Sequence, residues 1–114
     1  MDFGIAGRTA VVTGASRGIG RAVAEALAAE GAALVLTARG PDDLDRAVRE
    51  LRSAGTNVVG VAGDVSDPAT TAAILEAGVR AYGGIDMVVN NAGSDAGHLP
   101  IDRLEDADWE SAYR

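Results

Sequence analysis

An α/β fold with an open parallel sheet and helices on both faces is predicted for this chain of 114 residues. Two observations support the prediction. Short apolar segments rich in β-branched residues alternate with longer segments whose apolar residues recur at helical spacing. Glycine or proline stands at most boundaries between these segments. Strict alternation of strands and helices favours a parallel sheet with right-handed crossovers, so we expect about four strands with helices packed on both sides.

The predicted elements follow one another without a linker or repeat. Four continuous apolar runs of the kind that is buried in parallel sheets are interpreted as strands: residues 9–13, 33–38, 57–62 and 85–90. Four segments are interpreted as helices: residues 19–30, 41–55, 66–82, and 104 onward. The first helix is expected to bury four apolar side chains that share one face: Ile19, Val23, Ala26 and Leu27. The second should bury Leu44, Val48 and Leu51.

The composition excludes several classes of function. A net charge of −7 disfavours nucleic acid and anionic membranes as partners, because both attract clustered positive charge. Cysteine and lysine are absent, which excludes disulfides, thiolate zinc sites and a P-loop lysine. His98 is the only histidine and has no cluster of ligands nearby, so no metal site is expected. The sequence contains no signal peptide and no membrane-spanning run, and the cytoplasm is therefore the expected location.

The stretch VVTGASRGIG, residues 11–20, joins the first strand to the first helix. Gly14 would allow a sharp turn, Gly18 would let backbone approach a ligand, and Gly20 would let the helix pack closely on the strand. The N–H groups that begin the helix would then face an anion. The spacing is neither G-x-G-x-x-G, since residue 23 is valine, nor that of a P-loop. A nucleotide phosphate is the favoured ligand, and an ordinary glycine turn is the alternative.

Three motifs, each at the end of a predicted strand, resemble those of the classical short-chain dehydrogenases/reductases. Residues 13–20, TGASRGIG, resemble the T-G-x-x-x-G-x-G fingerprint of the family. Asn90–Gly93 resembles its N-N-A-G, and Asp64-Val65 resembles its aspartate followed by an apolar residue. The resemblance covers essentially the whole chain. It implies a Rossmann-like doubly wound parallel sheet, present here as an incomplete one, with residues 1–114 as the N-terminal, cofactor-binding half. The pattern is similar to the 3-oxoacyl-thioester reductase branch.

The resemblance also implies roles for individual residues. Four residues of the glycine turn, which starts at Gly14, would line the pyrophosphate and ribose: Ser16, Arg17, Gly18 and Ile19. Asp64 would accept a hydrogen bond from the adenine amino group, and Val65 would pack on the ring. The ribose and nicotinamide would be bordered by Asn90, Ala92 and Gly93, whereas Asn91 would have a more structural role. Simpler interpretations stay open, with Asp64 as a turn or capping residue and the asparagines as a strand-end turn.

The residue after the second strand indicates which dinucleotide is preferred. An acidic residue at this position binds the ribose hydroxyls of NAD. Here the position holds Arg39. A carboxylate would repel the 2′-phosphate of NADP, whereas this guanidinium could pair with it bidentately. In the family's arrangement Arg17 would add a second cation. Charge-assisted hydrogen bonds of roughly 1.5–3 kcal/mol each predict a preference for NADP(H) over NAD(H) of one to a few decades. The alternatives are a solvated Arg39 and a weakening effect of nearby Asp42 and Asp43.

The catalytic groups that the resemblance implies cannot be assembled from this sequence. The family transfers hydride with an asparagine, a serine, and a tyrosine four residues before a lysine. Tyr113 is the only late tyrosine, and no lysine follows it. We therefore expect no catalytic residue in the chain and no turnover of substrate by the chain alone. A small carbonyl or alcohol would be the substrate of a longer parent protein. The alternatives are a non-catalytic nucleotide-binding or assembly module and a ligand-free truncated remnant.

The missing half also predicts self-association. In a doubly wound sheet the fourth strand would pair with a fifth, so an apolar edge would stay open. We expect a homo-oligomer or a swapped dimer.

Overall fold

A computed structural model describes residues 4–91. Seven elements alternate along this part of the chain: β1 (Thr9–Thr13), α1 (Gly18–Ala29), β2 (Ala33–Ala38), α2 (Pro41–Ser53), β3 (Val58–Ala62), α3 (Pro68–Tyr82) and β4 (Met87–Val89). The helix predicted from residue 104 onward lies outside the described residues. None of the helices within residues 4–91 has the length and apolar character of a membrane span.

The four strands form one parallel sheet in the order β3-β2-β1-β4. Val12 lies in register with Leu36 on one side and with Val89 on the other, so β1 is a central strand. The chain proceeds outward from β1 to β3 and then crosses back to place β4 on the other side of β1. This reversal of strand order is the doubly wound topology, and the predicted Rossmann-like fold class is confirmed.

Two apolar layers cover the faces of the sheet. One contains Leu34 and Leu36 of β2, packed with α1 and with the buried face of α2. Here the predicted burial of Leu44, Val48 and Leu51 is confirmed. The other layer contains Val11, Val35, Ile74 and Ile85, with α3 on that face. Helices therefore lie on both faces, as predicted.

The prediction for the buried face of α1 was wrong in part. Ile19 has 73% of its surface exposed, and Ala26 is also exposed. The helix instead buries Gly20 and Ala24, while Val23 and Leu27 are half-buried. Small residues at the contact allow the helix axis to approach β1 closely, so larger side chains lie beside the contact. Ile19 precedes the buried Gly20 by one position, so its side chain is turned about 100° away from the side of the helix that packs on β1.

Two strands are shorter than predicted. β3 begins at Val58 and β4 spans only three residues, where runs of six were expected. Ile85, which the sequence placed in β4, precedes that strand and is buried against α3. An apolar run predicts burial more reliably than it predicts ladder pairing, because side chains flanking a strand can fill the same core.

Candidate functional site

The loops that follow β1, β2, β3 and β4 all leave the carboxyl edge of the sheet, since every strand pair is parallel. The reversal of strand order falls between β1 and β4. In open α/β sheets the crevice outside the carboxyl ends at such a reversal is the usual ligand site. The glycine turn follows β1 and the paired asparagines follow β4, so both flank this crevice. Topology alone therefore selects the region that the motifs indicated.

The glycine turn uses its first two glycines for backbone conformation. Gly14 and Gly18 have φ angles of 60° and 63°, in the left-handed region that side chains rarely adopt. Between them, the N–H of Ala15 donates to the carbonyl of Thr37 at 3.1 Å, which ties the turn to β2. A Cβ added to Gly18 would meet nothing within 4 Å. The backbone at Gly18 therefore faces open space, where a ligand can approach it.

Gly20 meets a different requirement, because no space exists beside its Cα. A Cβ at this position would overlap the carbonyl oxygen of Gly14 and would lie 2.8 Å from the side-chain nitrogen of Asn91. The start of α1 is thus packed directly against the end of β1 and the segment after β4. This close approach fixes where the first turn of the helix points.

Within residues 4–91, no side chain caps the N-terminus of α1. The N-cap residue, Arg17, has an extended backbone, makes no side-chain capping bond, and precedes a first turn that contains no acidic residue. The other two helices differ. Acidic residues Asp42 and Asp43 lie in the first turn of α2, and the Asp67 side chain accepts from Ala69 N–H in α3. Exposed N–H groups and the helix dipole make the start of α1 suited to an anion.

Thr13 joins the two strands on either side of the crevice. The N–H of Asn91 donates to Thr13 Oγ1 at 2.8 Å, and this hydroxyl lies 3.2 Å from Asn90 Oδ1, to which it donates. The asparagines therefore do form the strand-end tie that the sequence left open as their structural role. Asn91 is held at its backbone and packs against Gly20, whereas Asn90 is exposed at the crevice.

Arg39 and Asp64 lie together at the ends of β2 and β3. Arg39 Nη2 is 3.5 Å from Asp64 Oδ2, with 72% and 43% of the two side chains exposed. The sequence left open a weakening of the phosphate preference by nearby Asp42 and Asp43, but Asp43 pairs with Arg46, at 3.7 Å. Among the described residues, the carboxylate that faces Arg39 is thus Asp64.

The second oxygen of Asp64 is used within its own turn. Asp64 Oδ1 accepts from the N–H of Ser66 at 2.9 Å and from its hydroxyl at 2.8 Å. These two bonds from Ser66 hold the pKa of Asp64 below its ordinary value of 3.8, with a smaller contribution from Arg39. Asp64 is therefore an anion at neutral pH with a fixed orientation. Its contacts are those of the turn residue that the sequence left open, and its role toward adenine stays a prediction.

The remaining predicted residues occupy the same edge. Arg17 is exposed and forms no ion pair with any residue from 4 to 91, and Ile19 is exposed beside it. Ser16 and Val65 are half-buried. Ala92 and Gly93 lie outside the described residues.

Two threonines were missed by the sequence reasoning. Thr13 opens the glycine motif and had no predicted role, although a threonine at the last position of a buried strand is a signal for a polar tie. Thr37, its register neighbour in β2, is buried, and its hydroxyl makes no hydrogen bond within the described part of the chain. No signal in the sequence would have identified that unpaired hydroxyl.

Comparison with known proteins is consistent with this geometry. A family model described as short chain dehydrogenase matches residues 8–114. The 3-oxoacyl-acyl-carrier-protein reductase FabG of Escherichia coli is 42% identical over 103 residues, which is 90% of this chain and 41% of that protein.

Solved structures match as well. The L-sorbose reductase of Gluconobacter frateurii, complexed with NADPH and L-sorbose, is 44% identical with a TM-score of 0.79, over 96% of this chain and 42% of the other. A short chain dehydrogenase/reductase from Burkholderia phymatum, in complex with NAD, is 42% identical with a TM-score of 0.73, over 75% and 31%. The chain spans between 32% and 43% of the length of the first curated relatives that it matches.

Proposed function

The chain belongs to the short-chain dehydrogenase family, and we propose that residues 1–114 are the cofactor-binding half of an NADP(H)-dependent oxidoreductase. The observation that carries the proposal is the uncapped start of α1 beside the open backbone of Gly18. A pyrophosphate placed there would receive the free N–H groups of the helix. The two similar solved structures are complexes with NAD and with NADPH, which supports a dinucleotide as the ligand.

The residues along the carboxyl edge fit the remainder of a dinucleotide. Arg39 and Asp64 stand at the β2 and β3 ends, at the proposed adenosine end of the site. Asn90, with its exposed side chain, stands after β4 at the proposed nicotinamide end, where Ala92 and Gly93 follow it in sequence. Ser16 and Ile19 lie between these ends, in the turn proposed to hold the pyrophosphate and ribose.

A preference for NADP(H) is part of the proposal and rests on two guanidinium groups. Arg17 is exposed without an ion-pair partner in residues 4–91, and Arg39 replaces the acidic residue that favours NAD. Guanidinium groups bind phosphate through two parallel hydrogen bonds, which a ribose hydroxyl cannot match in strength.

The whole protein's reaction is proposed to be reversible hydride transfer, from the reduced cofactor to a small carbonyl substrate in one direction and from the corresponding alcohol to the oxidised cofactor in the other. This chain would bind and orient the cofactor in the cytoplasm and would turn over no substrate alone. The family's tyrosine and lysine would have to come from elsewhere.

The test is a calorimetric or fluorescence titration of the purified chain with NADPH, with NADH in parallel. Saturable binding with NADPH tighter than NADH supports the proposal. Absence of binding of either nucleotide at millimolar concentration would leave only a ligand-free remnant. A chain that binds nucleotide but forms complexes with other polypeptides that have no reductase activity would instead favour a non-catalytic assembly module.

Self-association is a second expectation, and it rests on β4. This strand has β1 on one side and no strand of residues 4–91 on the other, and its three residues are half-buried. Unpaired backbone groups on such an edge are a template for pairing with another chain. Sedimentation velocity over a range of concentrations should show dimers or larger species. A single monomeric species at every concentration, with a cooperative unfolding transition, would contradict this expectation.

A further inference from the structure

The carboxylate of Asp64 is placed to influence any phosphate that approaches Arg39. The Asp64 side chain is held rigidly, because both donors of Ser66 bind its Oδ1 and leave Oδ2 directed at Arg39. We propose that Asp64 is a specificity-determining residue that competes with the 2′-phosphate for Arg39 and so limits the preference for NADP(H). This inference rests on the proposed function and adds a residue that limits the cofactor selectivity of that site.

Geometry favours competition over a helpful positioning of Arg39 by Asp64. The 3.5 Å separation is long for a charge-assisted hydrogen bond, and 72% of the Arg39 side chain is exposed. An ion pair of this kind restrains a long side chain only weakly. The guanidinium would have to turn its planar fork toward a phosphate to bind it bidentately, and that movement removes it from Asp64.

The charge of Asp64 acts in the same direction. A phosphate group that Arg39 engages lies close to the Asp64 carboxylate, and like charges repel at this range. In the free protein, Asp64 also neutralises part of the positive charge that would attract the phosphate. Arg17 differs in this respect, since within residues 4–91 no carboxylate pairs with it.

The experiment compares two adenosine nucleotides that differ only in the 2′-phosphate. Adenosine 2′,5′-bisphosphate and adenosine 5′-monophosphate are titrated into the full chain, and the ratio of their dissociation constants isolates the 2′-phosphate. A contact between Asp64 and adenine affects both nucleotides and cancels. Asp64→Asn should raise the ratio in favour of the bisphosphate about two- to fivefold, the range that an exposed ion pair is worth. Asparagine keeps an oxygen acceptor for Ser66, so the turn is preserved.

Two further variants separate competition from other causes. In an Arg39→Gln background, Asp64→Asn should raise the ratio less than in the unaltered chain, because direct repulsion of the phosphate remains there while competition for the guanidinium is gone. Ser66→Ala removes one bond at Oδ1 but keeps the Asp64 charge, and it should leave the ratio unchanged. A ratio that falls or stays constant in Asp64→Asn, or an equal rise in the Arg39→Gln background, overturns the inference. If neither nucleotide binds the unaltered chain, the proposed function fails, and this inference fails with it.

Discussion

Replacing Gly20 by alanine is expected to destabilise the folded chain, because no space for a side chain exists between this residue and the end of β1. The added methyl would overlap the carbonyl oxygen of Gly14, and that oxygen belongs to backbone that cannot rotate away. Overpacking against rigid backbone costs about 3 kcal/mol. Alanine offsets about 1 kcal/mol of this through its better helix propensity. We therefore expect the free energy of unfolding to fall by about 2 kcal/mol, measured by urea denaturation.

The matched control is Gly40→Ala. Gly40 precedes α2 with a φ of −85°, and a Cβ there would lie 3.9 Å from its nearest neighbour, the Asp43 carboxylate. That distance is ordinary van der Waals contact, so the loss in unfolding free energy should stay below about 1 kcal/mol, the usual effect of placing alanine at an N-cap. Equal stability of the Gly20→Ala and Gly40→Ala variants would show that α1 can move away from β1 at no cost.

Gly18→Ala distinguishes the cost of an unfavourable backbone conformation from the cost of steric overlap at the same turn. No atom lies within 4 Å of the new Cβ, but the φ of 63° is unfavourable for alanine. The expected loss of about 1–2 kcal/mol has a purely backbone origin. In that variant, nucleotide binding should weaken as well, because the methyl would occupy the open space above the turn.

Local features of the fold could be predicted from the sequence, since each is encoded within one segment. β1 and β2 were predicted with the bounds that the structure has, and Pro41 and Pro68 begin the helices where proline is favoured. Ile19 was misplaced because the apolar pattern assigned the buried face to the large side chains, whereas the helix buries the small residues Gly20 and Ala24. Burial at an element end depends on tertiary packing, which no local pattern contains.

Contacts between distant segments could not be predicted in the same way. Asp64 follows Arg39 by 25 positions, and their pairing depends on β2 and β3 being neighbours in register. The tie from Thr13 to Asn91 likewise requires β4 to return beside β1. The sequence could place each of these residues at a strand end. Which ends become adjacent is determined by the strand order.

Substitution of Arg39, which the strand order places beside Asp64, tests the cofactor preference quantitatively. The Arg39→Gln variant removes the charge and leaves a shorter, polar side chain. Loss of one charge-assisted interaction at the low end of its usual range, as expected for an exposed side chain, should weaken NADPH binding about tenfold. Because NADH has no 2′-phosphate, its dissociation constant should change by less than about twofold, within the range of exposed charge effects. Calorimetric titration of both nucleotides measures the difference directly.

Arg39→Asp should go further and reverse the preference. A carboxylate after β2 would repel the 2′-phosphate and could accept hydrogen bonds from the ribose hydroxyls of NADH. Since Asp64 already faces this position, both carboxylates would repel the 2′-phosphate of NADPH.

Arg49→Gln is the control for Arg39→Gln. It removes an equal charge from an exposed position of α2, where the Arg49 guanidinium donates to the Asp45 carbonyl. If Arg49→Gln weakens NADPH binding as much as Arg39→Gln does, net charge determines the preference and Arg39 has no specific role. An effect confined to Arg39 would place the 2′-phosphate between the ends of β2 and β3.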